Sequence, residues 1–188
     1  MIKGFSEKKH YSTISQAALE IRPMTQFIKN QNRSDLVGLE IGTLYGYNAR
    51  NILDNLNIKK LYLVDPYLLY AEYLDITSPF AWHAERMAKE KLAPFKHKIV
   101  RIKKKSDDAV DEIPDELDFI YIDANHAYEY ALQDIKTYWP KVKKGGIFGG
   151  HDYYNESKAR EVKKAVDEWV AENNLKLYTG ECDWWVVK

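Results

Sequence analysis

The feature that most constrains the fold of this 188-residue chain is the alternation of short apolar runs with longer amphipathic stretches. Such alternation is typical of a parallel sheet covered by helices. The runs that predict strands are 36–41, 60–65, 98–102, 117–123 and 147–150, the last of them after a predicted turn at 143–146. The stretches that predict helices lie between them, around 49–56, 81–92, 127–139 and 159–170.

The two ends of the chain differ from this central pattern. Residues 12–31 predict a helix broken at Pro23, because proline cannot donate an interior helical hydrogen bond. Residues 175–178 and 184–187 predict two strands that form a closing antiparallel pair. We therefore divide the chain into an N-terminal helical cap segment, 1–35, and a ligand-binding domain, 36–188.

Composition limits the classes of function. The chain has 28 basic and 28 acidic residues, whereas nucleic-acid binders usually carry a basic excess. The single cysteine, Cys182, excludes an internal disulfide. Neither a signal peptide nor an apolar run long enough for a membrane span is evident. We expect a soluble, cytoplasmic protein with a small-molecule partner and without nucleic-acid or membrane partners.

Acidic residues and glycines follow the first predicted strand. Ligands of parallel sheets bind beyond the carboxyl ends of the strands, so Glu40, Gly42 and Gly46 are candidate ligand contacts. Their G-x-x-x-G spacing differs from the dinucleotide fingerprint. The acidic Glu40 suits a cationic or amino-acid ligand better than a pyrophosphate. The alternative is an ordinary strand-to-helix turn, in which glycine is common.

The second and third strands also end in polar residues. Asp65 is placed to accept hydrogen bonds from two ribose hydroxyls, or is an ordinary exposed residue before Pro66. Ser106 and Asp107 are suited to the edge of an adenine, or to capping a helix.

Two Asp–His pairs follow the fourth and fifth strands. Asp123 precedes His126 by three residues, and His151 precedes Asp152 directly. Hard divalent cations prefer carboxylate oxygens, and a histidine nearby can take a proton from an acceptor hydroxyl. In the alternative interpretation, Asp123 only binds a cofactor and both histidines make structural hydrogen bonds.

Taken together, these segments resemble class I S-adenosylmethionine-dependent methyltransferases. The resemblance is carried by E-I-G-T-L-Y-G-Y at 40–47, L-V-D at 63–65, I-D-A-N-H-A-Y at 122–128 and G-G-I-F-G-G-H-D-Y at 145–153. The last two segments are similar to small-molecule O-methyltransferases of the catechol and antibiotic-sugar types, many of which need Mg²⁺. The resemblance implies an α/β, Rossmann-like, doubly wound and mostly parallel seven-stranded sheet whose last strand is antiparallel. It also implies O-methylation of a small-molecule hydroxyl.

The resemblance implies roles for individual residues as well. The cofactor S-adenosylmethionine would be bound by Glu40, Gly42, Gly46, Asp65, Ser106, Asp107 and Asp123, with Asp65 on the ribose. Asp123 and Asp152 would bind Mg²⁺ or another divalent cation, and His126 or His151 would take the proton. One departure is Tyr153, since the related enzymes often have Asn or Asp there as a third metal ligand. Histidines beside the site would shift the preference toward a transition metal.

Three other functions compete with this interpretation. An aminopropyltransferase would use a decarboxylated cofactor and bind an amine at Asp123 and Asp152. A non-catalytic module would bind the cofactor alone, which needs no Asp–His pairs. A nucleic-acid methyltransferase is disfavoured by the neutral charge. The aromatic segment 66–82 predicts an acceptor pocket or lid, or else internal packing or a homodimer contact.

Overall fold

The computed structural model describes residues 20–68, 78–154 and 161–188, which form one sheet with helices on both faces. Within these ranges no helix is both long and apolar enough to cross a bilayer. The helices are α1 (Pro23–Lys29), α2 (Tyr47–Asn55), α3 (Ser78–Lys91), α4 (Ser106–Ala109), α5 (Tyr128–Tyr138) and α6 (Val162–Glu172). The strands are β1 (Leu36–Ile41), β2 (Ile58–Val64), β3 (Ile99–Ile102), β4 (Leu117–Ile122), β5 (Val142–Gly150), β6 (Tyr178–Gly180) and β7 (Asp183–Val187).

The sheet has the order β3-β2-β1-β4-β5-β7-β6. Strands β1 to β5 pair in parallel, and β7 is antiparallel to both of its neighbours. The predicted seven-stranded, mostly parallel sheet with an antiparallel last strand is therefore confirmed. The strand order reverses between β1 and β4, where Ile41 lies beside Ile122 and Ile122 beside Gly150. Ligand clefts of open α/β sheets form at such a reversal.

The hydrophobic core lies on both faces of the sheet. One face packs on α1 and α2 through Met24, Ile28 and Ile52, and the other packs on α5 and α6 through Ile135 and Trp169. Every residue of β4 is buried, because this strand lies in the middle of the sheet. That position explains its mainly apolar sequence, interrupted by Asp118, which lacks the alternation of a strand with one solvated face.

The predicted break at Pro23 agrees with the described residues, because 20–22 are not helical and α1 begins at Pro23. Arg22 is the extended N-cap and Pro23 occupies the first turn, where a missing N–H costs nothing. Residues 12–19 of the predicted helix lie outside the described residues, as do 69–77 of the aromatic segment and 155–160 before α6.

The predicted turn at 143–146 is wrong, since these residues belong to β5. Gly145 N donates to Lys188 O at 2.7 Å, and Lys188 N donates to Gly146 O at 2.9 Å. The end of the chain therefore pairs with the glycines and keeps them in the ladder. A register shift in the pairing with β4, between Leu117 and Phe119, accommodates the extra residues.

Candidate active site

The turn from β1 to α2 needs glycine at its first position. Gly42 has φ 88°, and a Cβ there would lie 1.9 Å from the carbonyl oxygen of Asp123. Gly42 N donates to Val64 O, and Asp123 N donates to Ile41 O, both at 2.8 Å. Gly46, with φ 71°, then forms the N-cap of α2. The glycine turn and the start of the Asp123 segment thus form adjoining walls of one cleft.

Glu40 is almost fully buried at the end of β1. Its Oε1 accepts a hydrogen bond from Asn48 Nδ2 at 2.9 Å. Its Oε2, Asn48 Oδ1 and Thr43 Oγ1 are buried without a partner in the described residues. Burial, reinforced by the charge of Asp123, raises the pKa of Glu40 to about 8, although the Asn48 hydrogen bond lowers it. Because buried acceptors without donors are costly, this group fits a ligand that donates hydrogen bonds, such as an ammonium.

Asp65 lies just beyond β2 and is held by the backbone. Its Oδ2 accepts from Leu44 N, and its Oδ1 accepts from Tyr67 N, both at 2.7 Å. Burial raises the pKa of Asp65, while these hydrogen bonds oppose the rise. Each carboxylate oxygen can accept more than one hydrogen bond, so capacity remains for the two hydroxyls of a ribose. The ribose role stays a prediction.

Ser106 and Asp107 open α4, but neither is its N-cap, which is Lys105. Ser106 hydrogen-bonds the buried carboxylate of Asp134 through its side chain, and its carbonyl accepts from Tyr138 Oη at 2.5 Å. The Ser106 side chain therefore anchors this turn to α5. Asp107 is exposed. Contact of either residue with an adenine stays a prediction, and the helix-capping alternative is wrong.

The two Asp–His pairs meet in one cluster at the ends of β4 and β5. His126 Nε2 lies 2.7 Å from Asp152 Oδ2 and 3.6 Å from Asp123 Oδ1. His151 Nδ1 lies 3.4 Å and 4.0 Å from the same two oxygens. The Asp152 side chain is only 3% exposed. It sits on a left-handed backbone with φ 62°, an uncommon conformation that asparagine and aspartate tolerate best.

The charges of this cluster are strongly coupled. Burial opposes protonation of His126, but hydrogen bonds and charges from Asp123 and Asp152 outweigh it and raise the pKa of His126 to about 9. Burial likewise favours neutral Asp152, yet His126 and His151 hold its pKa well below the usual range. A protonated His126 between the two aspartates therefore offsets part of their negative charge in the free protein.

The same three groups fit a divalent cation. Asp123, His126 and Asp152 each offer a ligand atom, and the three atoms lie within 4.8 Å of one another. Tyr153 does not replace the third ligand, because its phenol donates to Asp167 Oδ1 at 2.6 Å. His126 is the third member instead. An imidazole nitrogen with two carboxylate oxygens suits a transition metal such as Mn²⁺ or Fe²⁺ as well as Mg²⁺.

An aromatic rim borders the glycine turn. The ring of Tyr45 lies 6.3 Å from that of Tyr47 and 6.2 Å from that of His83, near the start of α3. Trp82 is 66% exposed, which is unusual for so large an apolar side chain. The described part of the predicted aromatic segment thus includes an exposed ring on the helix that borders the cleft.

Sequence reasoning missed two residues beside this cleft, Asn48 and Arg22. Asn48 follows Glu40 by eight residues and binds it from the first turn of α2. Arg22 lies far away in sequence, and its guanidinium contacts Tyr121 Oη on β4 at 3.2 Å. A polar residue in the first turn after the glycines was a usable signal for Asn48, whereas no local pattern pointed to Arg22.

Comparison with known proteins agrees with this geometry. Residues 39–153, which run from within β1 to just past β5 and include the whole cluster, match a family of methyltransferase domains. The chain belongs to this family. It is also 27% identical over 150 residues to the uncharacterized protein R132 of Acanthamoeba polyphaga mimivirus. That match covers 78% of this chain and 65% of the viral protein, so the chain spans just under two thirds of that relative's length.

Solved structures share the fold at low sequence identity. A Staphylococcus aureus protein assigned as a caffeoyl-CoA O-methyltransferase has a TM-score of 0.66 and 14% identity, covering 95% of this chain and 88% of its own. A Bacillus cereus O-methyltransferase in complex with S-adenosylhomocysteine has a TM-score of 0.63 and 16% identity, covering 96% and 89%. A Clostridium thermocellum structure assigned as an rRNA methylase has a TM-score of 0.63 and 12% identity, covering 87% and 93%. The family is one of methyltransferase domains, and the solved structures share the fold of this chain.

Proposed function

We propose that this chain transfers the methyl group of S-adenosylmethionine to a hydroxyl of a small molecule, with a divalent cation at the active site. The observation that carries the proposal is the cluster of Asp123, His126 and Asp152, which adjoins the glycine turn of a methyltransferase domain. Cofactor binding alone needs no such cluster. A partly buried set of two carboxylates and an imidazole is suited to binding and deprotonating a hydroxyl.

The glycine turn and its neighbours bind the cofactor in this proposal. The unpartnered oxygens of Glu40 and Asn48 accept hydrogen bonds from its ammonium group, and Asp65 accepts from its ribose hydroxyls. The positive sulfonium then lies in a cleft lined by carboxylates, which favours a cationic cofactor. Gly42 allows β1 and β4 to approach so closely that cofactor and acceptor meet.

Transfer itself needs alignment more than covalent help. The acceptor oxygen attacks the methyl carbon while the carbon–sulfur bond breaks, which releases S-adenosylhomocysteine. Holding oxygen, carbon and sulfur in line supplies much of the rate. A cation bound by Asp123, His126 and Asp152 would lower the pKa of an acceptor hydroxyl. The hydroxyl proton passes to His151, which is more exposed than His126 and lies farther from the carboxylate of Asp152, at 3.4 Å rather than 2.7 Å.

The roles of the two histidines can be separated by experiment. We expect His126→Ala to lower metal affinity and turnover together, and His151→Ala to lower turnover while metal affinity is retained. If His126 is the base instead, His126→Ala would leave metal affinity intact and shift the pH dependence of turnover.

The overall function is tested by an acceptor screen. Purified protein with S-adenosylmethionine is incubated with phenols, catechols and sugar hydroxyl compounds, with EDTA or with Mg²⁺, Mn²⁺ or Fe²⁺. We expect metal-dependent S-adenosylhomocysteine release that Asp152→Asn abolishes. Asp54→Asn, an exposed carboxylate on α2, is the matched control and should keep full activity. Turnover that is unaffected by EDTA and by Asp152→Asn would contradict the metal role. Activity with an amine and decarboxylated cofactor would instead indicate aminopropyl transfer.

The sequence also supports three further proposals: a cytoplasmic location, a small-molecule rather than a nucleic-acid acceptor, and homodimer formation. The division of the chain into a cap segment, 1–35, and a domain, 36–188, is likewise proposed from the sequence. Met24 and Ile28 of α1, which belong to the cap segment, nevertheless pack into the same core as β1 and β4.

A further inference from the structure

Arg22 is fixed at both ends beside the cleft. Its backbone N donates to Asn51 Oδ1 at 3.2 Å, and Asn51 Nδ2 donates to Glu20 O at 2.8 Å. At the other end, Arg22 Nη1 donates to Tyr121 Oη at 3.2 Å and lies 3.5 Å from Asp183 Oδ1. Contacts at both ends reduce the entropy that the side chain would lose when it binds a ligand.

These contacts place the guanidinium on the side of the sheet that carries Glu40. Glu40 and Tyr121 are paired residues of the parallel strands β1 and β4, so their side chains project from the same face. Asn48 and Asn51 are three residues apart and lie on one side of α2. Asn48 binds Glu40, whereas Asn51 binds the Arg22 backbone.

Arg22 supplies a cation to an acidic cleft. The charges of Glu40 and Asp123 both act on its guanidinium, so it lies within electrostatic reach of the cofactor side and the metal side. A guanidinium has five donors, and the hydrogen bonds of Arg22 to described side chains involve Nη1. The side chain is 27% exposed, so its remaining donors can face a ligand.

The chemistry of the cofactor matches this distribution of charge. The amino-acid end of S-adenosylmethionine carries an ammonium and a carboxylate on the same carbon. The unpartnered oxygens of Glu40 and Asn48 suit the ammonium but would repel the carboxylate. An arginine beside them suits the carboxylate, because guanidinium and carboxylate form charge-assisted and often bidentate hydrogen bonds.

We propose that Arg22 binds the carboxylate of the methionine end of the cofactor, opposite the Glu40–Asn48 pair that binds its ammonium. This inference rests on the proposed function, since it takes S-adenosylmethionine as the ligand. It assigns to the segment before β1 a direct part in the cofactor site. It also makes the site selective for the carboxylated cofactor, which an aminopropyltransferase does not use.

The test compares two ligands that differ by one carboxylate. Affinities of S-adenosylhomocysteine and of its decarboxylated analogue are measured by titration calorimetry for the wild type, Arg22→Ala and Arg22→Lys. We expect Arg22→Ala to weaken the binding of S-adenosylhomocysteine roughly ten- to a hundredfold, the range for hydrogen bonds between charged groups. The affinity for the decarboxylated analogue should change less than about twofold, because the analogue lacks the group that Arg22 binds. The affinity of Arg22→Lys for S-adenosylhomocysteine should lie between those of the wild type and Arg22→Ala, since lysine keeps the charge but loses the bidentate geometry of the guanidinium.

A matched variant controls for the removal of an arginine. Arg33→Ala removes an arginine of similar exposure, 29%, that pairs with Asp118 near the opposite end of β4, and it should change neither affinity. If Arg22→Ala weakens both ligands equally, Arg22 is structural and the proposal is wrong. If it weakens neither, the carboxylate is bound elsewhere, or Arg22 serves an acceptor, and the proposal is equally wrong. If the wild type does not bind S-adenosylhomocysteine at all, the cofactor assignment of the proposed function is wrong. That result differs from every outcome that concerns Arg22 alone.

Discussion

Cofactor binding should be coupled to the ionisation of Glu40. In the free protein, burial raises the pKa of Glu40 to about 8, so only about one molecule in ten carries the carboxylate at pH 7. Binding an ammonium requires that carboxylate, and the cofactor must therefore displace the proton. Since the ionised fraction falls about tenfold for each pH unit below the pKa, affinity should fall roughly 50-fold from pH 8 to pH 6.

The assay is calorimetric titration with S-adenosylhomocysteine at several pH values between 6 and 8. At each pH, buffers of different ionisation enthalpy report how many protons are released. We expect nearly one proton per binding event at pH 6 and about half a proton at pH 8.

Glu40→Gln is the matched control, because an amide keeps the size and the hydrogen bond to Asn48 without ionising. It should bind more weakly at pH 8 and show little dependence on pH. A wild-type affinity that stays constant between pH 6 and pH 8 would refute the coupling. A slope that persists in Glu40→Gln would assign the titration to another group.

Three further predictions concern stability. Burial raises the pKa of Asp134 to about 6, above its unfolded value. Its contribution to the free energy of unfolding is therefore complete below about pH 4, and about 3 kcal/mol of it is lost as pH rises through 6. Urea unfolding of Asp134→Asn should lack this loss. Gly42→Ala should lower the free energy of unfolding by more than ~3 kcal/mol, because its Cβ would meet the Asp123 carbonyl, and a loss under 1 kcal/mol would contradict that reasoning. Tyr121→Phe removes the donor to Asp183 Oδ1 at 2.6 Å and should cost about 1–3 kcal/mol in thermal unfolding, whereas an unchanged midpoint would show that Arg22 and the backbone N of Met24 suffice for that carboxylate.

The central fold was readable from the sequence because its signals are local. β1 was predicted with its observed bounds, and β4 within one residue, since strands buried on both faces are mainly apolar runs. The prediction of a turn at 143–146 was wrong for a non-local reason. Lys143, Lys144 and two glycines have turn chemistry, but hydrogen bonds with the Lys188 backbone keep the glycines in the sheet.

The candidate site was predictable as a set of residues but not as a geometry. The carboxyl ends of parallel strands share one edge, so the sequence alone predicted that Asp123 and Asp152 would lie near each other. It could not show that His126 bridges them at 2.7 and 3.6 Å, or that Tyr153 bonds Asp167 instead. Those outcomes depend on side-chain directions, which the left-handed backbone of Asp152 helps to set.

By itself, the sequence determined the class of the sheet, the acidic and glycine-bearing strand ends and the resemblance to methyltransferases, because these reside in periodicity and short motifs. Only the tertiary structure decided which buried oxygens lack donors, and where the cation that complements them lies. Arg22 reaches the cleft through Asn51 and Tyr121, which stand 29 and 99 residues further along the chain. Contacts over such separations form only when helix and sheet pack together, so no local pattern records them.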